Sequence, residues 1–361
     1  MKKFHGILLS LFLLSSFLWS QDKPASKISG YMFGDYSYNV VHDSTTALSN
    51  AAAGFGGKDF NAFQLRRIYF AYDNDIASAF TTRFRLEGST GSPIVKDAYL
   101  KWKNVFGGSD LIFGMQPTPA FDISESAWGY RSLEKTIMDL RGIVSSRDLA
   151  ISLKGKLDEQ GSINYWVMIG NNSGTGAEAD RYKRLYANVQ VKPVDNLQVT
   201  VYADYSMKSN VNNNNSTTTP KATLNNSDIT TALFVGYGIK DQYNVGVEAF
   251  YKMTANGNAA GTSPNISYGS KNAQGVSLFG SYNVTQELVA VARYDNYDPN
   301  NDSKFKGDSR NYILAGLNWK ADKNVMIIPN VQYETYEKLP NGGRSFDPSI
   351  TARVTFYYIF L

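Results

Sequence analysis

The chain is dominated by a two-residue rhythm of apolar and polar positions. Between 198 and 205, Val199, Val201, Ala203 and Tyr205 alternate with Gln198, Thr200, Tyr202 and Asp204. Successive side chains of a strand point to opposite faces, so this segment reads as a strand with one apolar face. Phe80, Thr82, Phe84 and Leu86 alternate in the same way with Thr81, Arg83, Arg85 and Glu87, and Leu149, Ile151 and Leu153 with Ala150, Ser152 and Lys154. Near the end, Ile350, Ala352, Val354, Phe356, Tyr358 and Phe360 alternate with Thr351, Arg353, Thr355 and Tyr357. The pattern predicts about sixteen strands, over 28–41, 60–73, 78–88, 94–103, 109–117, 147–157, 161–171, 182–193, 195–207, 229–240, 242–254, 273–284, 286–297, 310–321, 324–337 and 348–360. Each is close to the ~9–11 residues that a tilted strand needs to cross a bilayer.

The connections alternate in length. Short turns such as 158–161, 193–196, 240–242, 284–287 and 321–324 interleave with long segments at 42–59, 118–146, 208–228, 255–272, 298–309 and 338–347, rich in Asn, Gly, Ser, Thr and Pro. Short turns on one side and long loops on the other are the layout of bacterial outer-membrane barrels. A soluble sandwich predicts strands of about five or six residues and no such sidedness. Charge sharpens the choice, because an Arg or Lys facing mid-bilayer costs about 2–4 kcal/mol. The apolar faces carry almost none at mid-strand, whereas the polar faces carry Arg83, Arg85, Lys101, Lys103, Lys154, Glu248, Arg293 and Arg353. The expectation is an all-β, transmembrane antiparallel barrel with a water-filled lumen, those basic residues lining its wall. One strand breaks the rhythm: Arg66 shares parity with Ile68, Phe70 and Tyr72. Either it snorkels at the outer rim, or a bulge shifts the phase between Leu65 and Ile68.

Residues 1–21 stand apart. Lys2 and Lys3 precede an apolar run from Ile7 to Leu18, followed by the polar Asp22-Lys23-Pro24. This is the three-part pattern of a secretory signal peptide, and the run is shorter than the ~20 residues of a spanning helix. The expected division is a signal over 1–21 and a barrel over 22–361. There is no Cys to supply disulfides to an exported chain. The 24 Tyr, 20 Phe and 5 Trp suit a surface that passes from lipid to water. A formal net charge of +4 does not suggest nucleic-acid binding.

Enzymatic readings find little support. Of two His, His5 lies in the expected signal and His42 stands alone in the first long loop, without a Gly-x-Ser-x-Gly nucleophile motif near it. A His-based triad or metal cluster is hard to build from them. Asp298-Pro299-Asn300-Asn301-Asp302 offers oxygen ligands but no defined Ca²⁺ spacing. No catalytic residue, metal site or cofactor is expected.

Several strings resemble the phosphate-selective O/P-like family of bacterial porins: 65–70 (Leu-Arg-Arg-Ile-Tyr-Phe), 96–102 (Lys-Asp-Ala-Tyr-Leu-Lys-Trp), 113–119 (Phe-Gly-Met-Gln-Pro-Thr-Pro) and 145–148 (Ser-Ser-Arg-Asp). The resemblance covers about residues 28–200; beyond, the hairpin rhythm and the last strand continue it. It implies a sixteen-stranded homotrimeric channel whose third long loop folds inward. It implies no phosphate selectivity, since the basic residues of the family's binding site have no recognisable match here.

That third loop, 118–146, carries the candidate site. Ser132 to Leu140 has helical spacing, with Leu133, Ile137 and Leu140 on one side and Gly142 as a stop. Folded inward, it would narrow an otherwise open lumen. Arg131, Glu134, Lys135, Asp139, Arg141 and, at its end, Arg147 are the expected constriction residues. A loop lying outside as a lid or trimer contact is the competing arrangement. The expected function is passive diffusion of small hydrophilic solutes and ions across the outer membrane, with a mild preference for anions. A structural or adhesive barrel presenting long polar loops is the alternative. Small inward residues such as Thr200, Gly246, Ser277, Ser281 and Thr351 favour an open lumen. The expected partners are outer-membrane lipid, small hydrophilic solutes or anions, two further copies of the chain, and the barrel assembly machinery. The last would recognise an amphipathic final strand in which Phe360 is the penultimate residue.

Overall fold

The computed structural model describes residues 25–43, 57–305, 307–338 and 346–361. The expected signal peptide and much of the loops 42–59 and 338–347 lie outside the described residues. The strands are β1 Ser26–Val41, β2 Asn61–Ala77, β3 Phe80–Gly88, β4 Ile94–Phe106, β5 Ser109–Pro117, β6 Arg147–Lys156, β7 Ile163–Gly170, β8 Arg184–Val191 and β9 Leu197–Met207. They continue as β10 Val211–Asn212, β11 Thr223–Leu224, β12 Ser227–Ile239, β13 Tyr243–Ala260, β14 Ser267–Asn283, β15 Leu288–Asp298, β16 Arg310–Asp322, β17 Val325–Tyr336 and β18 Ser349–Ile359. Two helices, α1 Asp122–Trp128 and α2 Ile137–Leu140, interrupt the series between β5 and β6.

Sixteen strands close into one barrel, each antiparallel to its neighbours, and β10 and β11 pair separately as a small hairpin. Closure falls between the first and last strands, in register from Tyr31 opposite Ile359 to Asn39 opposite Thr351. With an even strand number both ends of the barrel sheet lie on the side of the short turns, and the long loops rise from the other. The expected loop 255–272 is largely strand instead: β13 and β14 run on to pair Ala260 with Ser267 across a register shift between Thr254 and Asn258. The Gly/Asn-rich stretch 255–261 has no alternation of its own, and pairing of Asn258, Ala259 and Ala260 with β14 carries the hairpin past the irregularity.

The barrel is inverted in polarity relative to a soluble protein. Phe113, Val201 and Leu278 point outward and are 64%, 57% and 53% exposed. Asp35, Asn39, Gln116, Asp204, Ser277, Gln332 and Thr351 point inward and are buried. An apolar surface of this extent is sustainable only against lipid. Aromatic residues mark its two edges. Trp102, Tyr282, Trp319 and Tyr358 face outward at strand ends near the short turns, and Tyr38, Phe63, Tyr205 and Tyr294 near the long loops. These are the interfacial girdles of a transmembrane barrel. No helix of the described residues is long and apolar enough to cross a membrane.

Two bulges set the phase of the site. On β2, Phe33 pairs with Arg67 and Gly34 with Leu65, leaving Arg66 as the extra residue. On β4, Arg85 pairs with Asp97 and Leu86 with Val95, leaving Lys96 extra. The first resolves the irregularity at Arg66 in favour of a bulge: Arg66 and Arg67 both project into the lumen, while Leu65 and Ile68 face outward. The bulge is held open by the ion pairs that Arg66 finds inside.

Candidate functional site

Residues 118–146 turn into the barrel and pack against its wall. Their secondary structure differs from the expected helix over 132–140. The longer helix is α1, upstream, and only the single turn α2 forms downstream, with 131–136 as turn and extended chain. α1 carries Asp122 and Glu125 in its first turn, where the helix dipole favours acids. It ends at Gly129, left-handed at φ 69°, whose N–H donates to the Glu125 carbonyl at 3.0 Å. Gly142, at φ 63°, ends the α2 turn as expected. Leu133 and Ile137 are fully buried, but against the barrel wall rather than as one helical stripe. Anchoring by the wall replaces helix formation between them.

The anchors come from strands far apart in sequence. Trp128 packs edge-on to Phe279 at 5.3 Å and donates its indole N–H to the Glu134 carbonyl at 2.8 Å. Ile137 and Met138 sit with Ala120, Phe121, Tyr202 and Phe250 in one apolar cluster. Arg66 donates to the carbonyls of Ser132 and Leu133 at 2.9 and 2.8 Å, and ion-pairs with Asp35 at 3.5 Å and Glu134 at 3.7 Å. Arg141 pairs with Glu334 at 2.7 Å. Arg293 chelates Asp295 and donates to the Lys135 carbonyl. Lys252 reaches the Ile143 carbonyl at 3.1 Å, Asn188 the Pro119 carbonyl at 2.9 Å, and Asn244 the Ala127 carbonyl. Ser124 donates to Glu248 at 2.9 Å.

The loop thereby packs on the wall from β6 to β18 and against Arg66 of β2, and leaves Arg131 and Lys135 toward the inward side chains of β1–β5. On that free side Arg131 bridges Glu125 at 3.1 Å and Asp139 at 3.4 Å, with Lys135 3.8 Å from Asp139. Burial pushes the Glu125 carboxyl up, against the pull of Arg131. Across the opening, Arg85 donates to the Tyr31 hydroxyl at 2.8 Å and lies over the Tyr69 ring at 4.7 Å. Glu87 is shared by Arg67 and Lys96, each at 2.9 Å. Asp97 is held by Arg147 at 2.5 Å and flanked by Arg83 and Arg85 at 3.7 Å. The two sides are close enough to act on each other: Arg131 is in electrostatic reach of Tyr31, Tyr69 and Lys96, and Arg147 of Glu125.

Of the residues expected on the loop surface, Arg131, Lys135 and Asp139 face the opening, and Arg147 faces it from the start of β6. Glu134 and Arg141 do not. Both lie between loop and wall, as the partners of Arg66 and Glu334. Helical spacing had placed them opposite Leu133 and Ile137; with no helix over 132–136, that geometry is lost. Among the expected wall residues, Arg83, Arg85, Lys101, Lys103 and Lys154 are inward and reach open lumen, while Arg293 and Arg353 are buried under the loop at 3% and 6% exposure. Tyr31, Arg67, Tyr69, Lys96 and Glu125 were not expected at the opening. The adjacent charges Arg66-Arg67 and Lys96-Asp97 carry the missed signal for two of them: two neighbouring charged residues within an apolar-faced strand both point inward only through a bulge.

A closed sixteen-stranded barrel, apolar outside and polar within, with its third loop turned into the lumen, defines a porin-type transmembrane fold. No protein-family model and no curated protein sequence matches the chain. Solved structures do. The anion-selective porin from Comamonas acidovorans has a TM-score of 0.65 at 11% identity, over 94% of this chain and 100% of that one. The outer membrane channel DcaP of Acinetobacter baumannii has a TM-score of 0.65 at 12% identity, over 94% and 99%. Salmonella typhi OmpF, in complex with daunomycin, has a TM-score of 0.62 at 15% identity, over 93% and 97%. At these identities the likeness establishes the fold and nothing finer.

Proposed function

We propose that the chain is an outer-membrane porin, delivered by a signal peptide over 1–21 and assembled as a homotrimer, that passes small hydrophilic solutes and ions passively with a mild preference for anions. The observation that carries the reading is the loop inside the barrel: it is held there by Arg66, Arg293 and Glu334, and its charged side faces charged wall residues across the path that the reading assigns to solutes. Around that path the cations Arg67, Arg85, Lys96, Arg131, Lys135 and Arg147 outnumber the anions Glu87, Asp97, Glu125 and Asp139. Charge of one sign around a narrow passage biases which ion enters, and low-dielectric walls focus the field. Pairing cancels much of it, and at physiological salt a Debye length of about 8 Å screens the rest where the lumen is wide. The preference is therefore weak and strongest at low salt. The likeness to the O/P-like family supports the trimer and the channel, without a phosphate site.

The test is the zero-current potential of the purified protein in a planar bilayer under a KCl gradient. Wild type is expected to favour chloride weakly, and Arg131→Gln with Lys135→Gln to move the potential toward cation selectivity. A cation-selective wild type, or an unmoved double variant, refutes the role assigned to the loop face. Folded protein that conducts nothing turns the reading toward a structural or adhesive barrel.

A further inference from the structure

The wall behind the inward loop carries two glycines that an open lumen does not require. Gly246 on β13 and Gly275 on β14 are buried and point inward. Glycine inside a strand has no side chain to pack, weakens the strand, and often marks a close approach by something else. Smallness alone is met by alanine and serine, which hold the flanking inward positions of β14 at Ala273 and Ser277.

The difference lies in what covers the two glycines. A Cβ on Gly275 would lie 2.5 Å from Cε1 of Phe250 and 2.9 Å from Cδ1 of Ile137, which belongs to the loop. A Cβ on Gly246 would overlap the ring of Phe279 and lie 3.0 Å from that of Phe234. Each glycine is also the cross-strand partner of the ring that covers it, Gly275 of Phe250 and Gly246 of Phe279. Both rings therefore lean onto bare backbone instead of standing into the lumen. The loop rests on these two rings. Ile137 and Met138 cluster with Phe250, and Trp128 packs on Phe279, which stacks in turn with Phe234 at 6.1 Å. Trp128 and Ile137 bracket Arg131 and Lys135 in the chain, so the two seats fix the height of the segment between them. Interiors this closely packed pass on a displacement of one methyl group rather than absorb it.

We propose that Gly246 and Gly275 are positioning residues: by letting Phe279 and Phe250 lie flat on the wall, they set how far the loop stands into the lumen. They thereby set the gap between Arg131, Lys135 and Asp139 on the loop and the charged side chains of β1–β5. That this gap passes solutes rests on the porin reading; the seating of the loop does not.

The chain has no Cys, so spin labels attach only where cysteines are introduced. Labels at Lys135→Cys on the loop and Lys101→Cys on β4, across the barrel from β14, report their separation by double electron–electron resonance on the folded full-length barrel in detergent. Gly275→Ala is expected to shorten it by about 1 Å, the push needed to restore ordinary carbon contacts of roughly 3.5–4.0 Å. Phe250→Leu removes the ring under Ile137 without overpacking and is expected to lengthen it. Gly269→Ala, also on β14 but with nothing within 4 Å of the new Cβ, is expected to leave it unchanged. In planar bilayers the same three variants, unlabelled, are expected to lower, raise and leave unchanged the single-channel conductance. An unmoved separation in Gly275→Ala, the same shift in Gly269→Ala, or shifts of one sign in Gly275→Ala and Phe250→Leu would each overturn the seating. Separations that move while conductance stays fixed would refute its part in passage. A conducting barrel with unmoved separations overturns this inference and leaves the porin reading intact; separations that move as stated in a barrel that does not conduct do the reverse.

Discussion

At the scale of single residues, the lumen holds two kinds of charge. Arg66 is a mostly buried cation with two loop carbonyls and two carboxylates around it, 16% exposed at its side chain. Removing one partner of a buried cluster leaves the others uncompensated, at a cost of about 3–5 kcal/mol. Arg66→Ala is therefore expected to lower unfolding free energy by roughly that amount and to make single-channel current noisy, as Ser132 and Leu133 lose their anchor. Urea titration of the refolded barrel checks the first and bilayer recording the second; a quiet channel of wild-type stability would show that the loop is held elsewhere. Arg131, by contrast, has half-buried partners, Glu125 33% and Asp139 11% exposed at their side chains, and makes no bond to the loop backbone among those described. Its loss is expected to change selectivity, with a smaller change in stability than the loss of Arg66. The sequence distinguishes these two arginines poorly. Parity marks Arg66 as irregular but does not say what it would meet inside, because Ser132 and Glu134 are some seventy residues away in the chain. Arg141 and Glu134 were misplaced for the same reason: their surroundings are made by β2 and β17, not by their own neighbours.

At the scale of elements, strands were legible and loop helices were not. A strand facing lipid on one side and water on the other must alternate, so its boundaries appear in the residues themselves: β9 was expected over 195–207 and spans Leu197–Met207. α1 has only Ile123, Ala127 and Trp128 as apolar residues in seven, too few to show a stripe. It is stabilised by its acidic first turn, by Gly129, and by Trp128 against Phe279. The hairpin extension of β13 and β14 was hidden likewise, because backbone pairing requires no pattern of side chains. The lipid reading of the strands predicts an asymmetry. Val201 lies mid-strand on the outer face of β9 and is 57% exposed. Val201→Lys is expected to cost about 2–4 kcal/mol in a bilayer and much less in a detergent that lets the chain snorkel. Folding titrations in liposomes of increasing thickness check it; a cost independent of thickness would argue against a lipid-facing position.

At the scale of the molecule, the alternation of turn lengths predicts sidedness, and β10–β11 adds a small hairpin to one of the long loops. An epitope inserted between Ser216 and Thr217 is expected to be stained on intact cells, and one between Glu159 and Gln160 only after the outer membrane is opened. The reverse pattern would invert the topology. The overall architecture was legible because each strand declares its own faces, and strand count follows by enumeration; the inward fold of 118–146 was expected from the resemblance, but the wall contacts that hold it were not, because they come from strands far away in the sequence. The seam between β1 and β18 carries one more consequence, for the order of events during synthesis. Tyr31 finds its partner Ile359 only when nearly the whole chain has been made. Until then the first strand offers an unpaired edge, and a growing sheet with such an edge is a template for aggregation. Pairing across so long a sequence separation is also slow. The ribosome therefore hands over a polypeptide that cannot close its own cylinder until the residues around Ile359 have been made.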